Sequence, residues 1–124
     1  MRLLLDTHVV IWWLNGDPKL SHGVRDLLQN ELEVFISPAS LWEITIKQSM
    51  GKLDAPADLA ETIRDSDFHE LPVRHRHTIT AGRLQAIHRD PFDRLLVAQA
   101  QCEKLTLVST DEHMPKYDVA VMPP

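Results

Sequence analysis

An α/β fold, with helices packed around a mostly parallel sheet, is what this sequence predicts, and three observations carry the prediction. Short apolar runs recur along the chain, as at residues 3–5 and 105–108, in the pattern of strands buried on both faces. Between them lie longer segments with apolar residues at helical spacing. Turn and capping signals separate the two kinds of segment: Asn15-Gly16-Asp17-Pro18, Ser37-Pro38 and Asp90-Pro91. Strands that alternate with helices in this way run parallel to one another.

The first strand, Arg2–Leu5, ends at an acid, Asp6, and an apolar helix follows over residues 8–14. After the turn, Ser21 caps a second helix with Val24, Leu27 and Leu28 facing inward. Glu33–Ile36 is the second strand, and Ser37 with Pro38 opens a helix that runs to about residue 50, where Gly51 ends it. Residues 54–70 hold six acids and one arginine, with Leu59 and Ile63 at helical spacing, which predicts a solvated amphipathic helix. A weak strand over residues 68–73 carries Pro72 near its end and belongs at a sheet edge. A helix over residues 75–86 precedes the clearest one, which has Asp90 as N-cap, Pro91 in its first position and Leu95, Leu96, Gln99 and Ala100 on its inward stripe. A buried strand at 105–108 and a short one at 119–122 complete the pattern.

The 124 residues predict a single domain, residues 1–124, large enough to bury a sizeable core. The only cysteine, Cys102, excludes a disulfide framework and a Cys-rich metal site, and it suits a small apolar position on a helix. Asp6 and His8 interrupt the N-terminal apolar run before it reaches the length of a secretory or membrane segment, so the expectation is a cytoplasmic protein with no membrane partner. A net charge of -5 argues against coating nucleic acid through a basic surface, yet residues 74–94 carry five arginines against two acids and form a local basic stretch.

Four acids fall where the strands of such a sheet end. Asp6 follows the first strand, Glu43 lies in the helix after the second, Asp93 opens the long helix and Asp111 follows "LTLVST". Carboxylates converging on one edge repel one another unless a cation neutralises them. Each acid also has an ordinary role: Asp6 and Asp93 near helix starts, Glu43 paired with Lys47 or boxed with Ser40, and Asp111 in a turn. Spacing alone leaves both readings open. Asp90, directly before Pro91, is foremost a helix cap.

The pieces "LLLDTHVVIWWL", "SPASLWEITIKQSMGKL", "HRDPFDRLLVAQAQCEKLTLVSTD" and "YDVAVMPP" span nearly the whole chain in order, and together they resemble a PIN domain of the VapC-type toxins of bacterial toxin–antitoxin pairs. The resemblance implies a PIN-like three-layer sandwich and a metal-dependent endoribonuclease. It makes Asp6, Glu43, Asp93 and Asp111 the catalytic, metal-binding set, for Mg²⁺ or Mn²⁺, whose preference for hard oxygen ligands agrees. Thr7, Ser109 and Asp90 then stand behind the ligands and orient them. Lys47, Arg89 and Arg94 become candidates for RNA phosphate contacts. The implied partners are an RNA substrate, a cognate antitoxin and a second copy of the chain. Ser109 stands where the family more often has threonine, Met114 where an aromatic is common, and the chain closes on two prolines in place of a tryptophan-containing tail.

A non-catalytic PIN-like module that binds RNA or protein is the alternative. An aspartyl phosphatase is excluded in practice, because His8 breaks the D-x-D pattern after "LLLDT". His75 and His77 lack a third ligand at zinc spacing and read as helix-start or surface residues, and His8 is expected to be buried and hydrogen-bonded. Trp12, Trp13 and Trp42 are core residues by default. Neighbours on a helix diverge, so one of Trp12 and Trp13 is expected to face outward, and the resemblance implies that it anchors the antitoxin.

Overall fold

The protein is described here by a computed structural model over residues 1–31, 33–53 and 58–124. Asp54, the first acid of the expected acidic helix, lies outside the described residues. β1 (Arg2–Leu5) contributes three leucines with no exposed surface. Successive side chains on a strand point to opposite faces, and Leu3 and Leu5 enter one apolar core while Leu4 enters another. A strand buried on both faces belongs at the centre of a sheet. Around it lie β2 (Glu33–Ile36), β3 (His69–Glu70), β4 (Thr106–Val108) and β5 (Val121–Met122), in the order β3-β2-β1-β4-β5. All neighbouring pairs are parallel, with Leu4 opposite Phe35 on one side and Leu107 on the other.

The helices form the outer layers. On the face of Leu3 and Leu5, α1 (Thr7–Asn15), α2 (His22–Asn30), α3 (Pro38–Ser49) and α4 (Leu59–Asp65) bury Val9, Leu28, Ile44 and Ile63. On the face of Leu4, α5 (His75–Arg83) packs on α6 (Pro91–Glu103), whose Leu96, Val97 and Ala100 meet the sheet. This is the expected three-layer sandwich. Each fully buried leucine contributes about 1.5–3 kcal/mol of transfer free energy, so β1 is among the most strongly held segments.

The start signals act as their chemistry requires. Ser21 accepts from the Val24 N–H, Ser37 from the Ala39 N–H, and Asp90 from those of Phe92 and Asp93. Gly16, at φ +62°, closes α1 in a left-handed conformation that other residues adopt at a cost.

Several elements differ from expectation for local reasons. β3 is two residues long, because Pro72 has no N–H to extend the ladder. On α6, Val97 and Ala98 are buried as well as the expected Leu96, Gln99 and Ala100, since this helix is covered by both the sheet and α5. The Gln99 amide donates to the carbonyls of Leu71 and Pro72 and ties the segment after β3 to α6.

α5 ends at Arg83, three residues early, and Arg94 holds the chain that follows. Its guanidinium donates to four backbone carbonyls, those of Ala81 and Leu84 at 2.9 and 3.0 Å and those of Gln85 and His88 at 3.0 and 3.2 Å. The Ala81 carbonyl also closes the last turn of α5, accepting the Leu84 N–H at 3.4 Å. Arg94 therefore clamps the α5–α6 connection, with both terminal nitrogens expected to meet RNA phosphate engaged by backbone carbonyls instead. Replacing Arg94 with Met is expected to lower stability by about 1–3 kcal/mol through the unsatisfied carbonyls. Lys, a single point donor, should recover only part of it, as read from urea unfolding midpoints.

Candidate metal centre

Where β1 ends, the Asp6 N–H donates to the carbonyl of Val108 at 3.1 Å, so the first residues beyond β1 and β4 emerge side by side. Strand order reverses here, since β2 and β3 lie on one side of β1 and β4 and β5 on the other. Such a switch point, at the carboxyl ends of the strands, is where parallel sheets hold ligands.

Asp6 is 3% exposed, and its Oδ1 accepts the Val9 N–H at 2.9 Å, so it caps α1. Burial pushes its carboxyl above the ordinary range; the Ser109 hydroxyl, the Val9 N–H and His8 oppose this, and Asp111 adds to it. Ser109 also accepts the Asp111 N–H at 3.0 Å and so orients both acids that flank it in space. Thr7, the other expected orienting hydroxyl, donates to Ser40 on α3 at 3.2 Å. It joins α1, which Asp6 caps, to α3, which carries Glu43, and makes no hydrogen bond to a carboxylate among the described residues.

Asp93 sits in the first turn of α6 and is pushed up to about 7. Burial is the largest cause, then the charge of Asp90, with Glu43 and Asp111 adding and His88 opposing. At Asp111 burial is again the largest influence and acts upward, but the His113 N–H, at 2.8 Å, and His88 together carry the carboxyl below its usual range. Glu43 is 7% exposed; its Oε2 pairs with Lys47 at 3.2 Å, and its buried Oε1 has no hydrogen-bond partner among the described residues.

Among the described residues, the one set of side chains close enough to share a metal ion is His88, Asp93 and Asp111, with ligand atoms within 4.8 Å of one another. Asp6 and Glu43 flank this set and act on it electrostatically. The donors fit a hard divalent cation. Two of the three are carboxylates, a buried orphan oxygen of Glu43 lies on the flanking helix, and the upward shift at Asp93 is one that a nearby positive charge would relieve.

His88 escaped the sequence reading. Its signal was present, a histidine two residues before the cap of the helix that carries Asp93, but only the folded connection turns it onto Asp111. Its Nε2 lies 2.8 Å from Asp111 Oδ2 and 3.1 Å from Asp93 Oδ2. Asp90 caps α6 as expected. Lys47 sits on Glu43, whereas Arg89 is exposed and makes no hydrogen bond or ion pair with the described residues.

The tryptophans are redistributed. Trp42, expected in the core, is 64% exposed and packs edge-on against Phe92 at 5.4 Å. Neither Trp12 nor Trp13 faces outward; both are half-buried, with Lys19 over the first ring and Arg25 over the second. Trp13 also donates to Ser66 and packs on Phe68, because α4 folds back over the end of α1. His8 is exposed, contrary to expectation, since its helix turns that face outward. His75 is exposed at the start of α5, and His77 is buried there, accepting the Arg74 N–H and bonded to Glu103.

The PIN domain family model matches residues 3–120. Solved structures with the same fold include the DNA-bound VapBC2 complex of Rickettsia felis, at TM-score 0.76 and 17% identity over 99% of this chain and 98% of that one. The DNA-bound VapBC of Salmonella typhimurium follows at TM-score 0.73 and 17% identity, over 99% and 98% of the two chains. The Mycobacterium tuberculosis toxin VapC20, which cleaves the sarcin-ricin loop, has TM-score 0.72 at 15% identity over 98% and 99%. No curated protein matches by sequence.

A carboxyl whose folded pKa lies above its unfolded value keeps its proton in the native state and gives it up on unfolding, so the stability it contributes is lost as pH rises. For Asp93 the window runs from about 3.8 to about 7. In EDTA, wild-type stability is expected to fall across that window relative to Asp93→Asn, with a constant difference above it. Urea unfolding at a series of pH values measures this; a difference that does not change with pH would mean that Asp93 titrates normally.

Proposed function

This chain belongs to the PIN-domain family, and from that premise we propose that it is a metal-dependent ribonuclease, the toxin of a toxin–antitoxin pair. The observation that carries the proposal is the convergence of Asp93 and Asp111 at the switch point of the sheet, flanked by Asp6 and Glu43. Asp93 and Asp111 would hold a divalent ion, Mg²⁺ or Mn²⁺, with Asp6 beside them and the Glu43 carboxylate reaching it directly or through water. Such an ion supplies the charge that activates water for in-line attack on a phosphodiester and steadies the departing oxygen.

The side chains divide the remaining work. Ser109 keeps the Asp6 and Asp111 segments in register, and Asp90 holds the start of α6 so that Asp93 faces the strand ends. Lys47 neutralises Glu43. Arg89, exposed on the connection that carries His88, is the cation we assign to the RNA backbone.

One solved structure with this fold is a toxin–antitoxin complex from Klebsiella pneumoniae, and a cognate antitoxin is the protein partner we propose for this chain as well. A second copy of the chain is the other partner we propose. No helix among the described residues is long and apolar enough to cross a membrane, and a cytoplasmic RNA target accords with this proposal.

Purified, antitoxin-free protein is expected to cut defined RNAs with Mg²⁺ or Mn²⁺ and to stop in EDTA. Asp6→Asn should lose about 100-fold or more in rate while keeping its fold, because a metal contributes several kcal/mol to such a transition state. Cutting by the variant at the wild-type rate would remove Asp6 from the site. A folded, ion-bound protein that cuts no RNA would instead favour the non-catalytic binding module. Arg89→Ala should weaken RNA binding and reduce the slope of log affinity against log salt by about 1; an unchanged slope would clear Arg89 of phosphate contact.

A further inference from the structure

We infer that His88 is the positioning residue of the acid cage: its imidazole donates to Asp93 and Asp111 together and fixes the spacing of the two carboxylates before an ion arrives. The inference rests on the reading of these acids as a divalent-cation site. Nothing in the sequence pairs the two acids, which come from the first turn of α6 and the segment after β4. His88 Nε2 touches both, at 3.1 and 2.8 Å.

The other ring nitrogen decides between a donor and a metal ligand. Nδ1 accepts the backbone N–H of Asp90 at 3.2 Å. A nitrogen that accepts carries no proton, so in the neutral ring the proton sits on Nε2, facing the carboxylates. A histidine that ligates a metal is wired the opposite way, with its bare nitrogen on the metal and its N–H donated to a carboxylate or carbonyl. The bare nitrogen of His88 is spent on the backbone.

The residue is also held from several sides. The His88 backbone N–H donates to the Tyr117 hydroxyl at 2.7 Å, its backbone carbonyl accepts from Arg94, and its ring rests edge-on against His113 at 5.1 Å. The donor is therefore rigid. Without it, two carboxylates on separate elements would face each other with nothing between them, and repulsion would move them apart.

The test is calorimetric titration of metal-free protein with Mg²⁺ and with Mn²⁺, in the absence of RNA, for wild type, His88→Ala and His88→Gln. Circular dichroism establishes that each is folded. Ala should weaken both ions by about 10- to 100-fold, the usual effect of removing a group that orients metal ligands. Gln, whose amide can still donate, should recover most of that loss, and the Mg²⁺ to Mn²⁺ preference should be the same in all three proteins. A loss falling mainly on Mn²⁺ would make His88 a nitrogen ligand and overturn the inference. An Ala variant that binds both ions as tightly as wild type would also overturn it, while leaving the metal reading intact. A wild type that takes up neither ion would overturn the metal reading and this inference with it.

Discussion

The Asp6 carboxylate ends a strand whose three leucines are fully buried, and the packing that places β1 at the centre of the sheet also takes that charge out of water. Burial raises the cost of ionising Asp6 and Asp93, and their acidic neighbours raise it further. Hydrogen bonds from Ser109, Val9, His113 and His88 offset part of this. They offset it unevenly: Asp111 is carried below its usual range while Asp93 is left near neutrality. A cation brought to this edge would meet one carboxylate already charged and one ready to give up its proton, so ion binding below about pH 7 is linked to proton release.

The supports of the site are as specific as its acids. Arg94 gathers four carbonyls of the α5–α6 connection, and one of them belongs to His88. Tyr117 receives the His88 N–H and donates to the Gln85 carbonyl. The segment that presents the imidazole is thus fastened to α6 on one side and to the chain before β5 on the other. An arginine next to an active-site acid would ordinarily be assigned to substrate; here the loop geometry uses its planar fork to bind backbone. That leaves Arg89, five residues earlier and exposed, as the cation open to solvent on this connection.

Hydrophobic residues tell a related story. Trp12 and Trp13 diverge around α1 as a helix requires, but both are half-buried, with Lys19, Arg25 and the end of α4 packed over them. The exposed tryptophan is Trp42, next to Glu43 on α3. A helix that buries Ser40, Glu43 and Ile44 on one face must turn residue 42 away from it, where among the described residues Phe92 is the ring packed against it.

By itself the sequence determined the strand and helix alternation, the capping residues Ser21, Ser37 and Asp90, and the positions of four acids at the ends of strands or the starts of helices. These are local matters of periodicity, turn chemistry and spacing, written within a few residues of where they act. Its motif resemblance reached the family as well. Only the tertiary structure decided that Asp93 and Asp111 meet through His88, that Arg94 faces inward, that Thr7 bonds Ser40, and that Trp42 is the uncovered ring. Each of these depends on contacts between segments distant in the chain, and the packing of the helices and the α5–α6 connection against the sheet sets them, which no local pattern encodes.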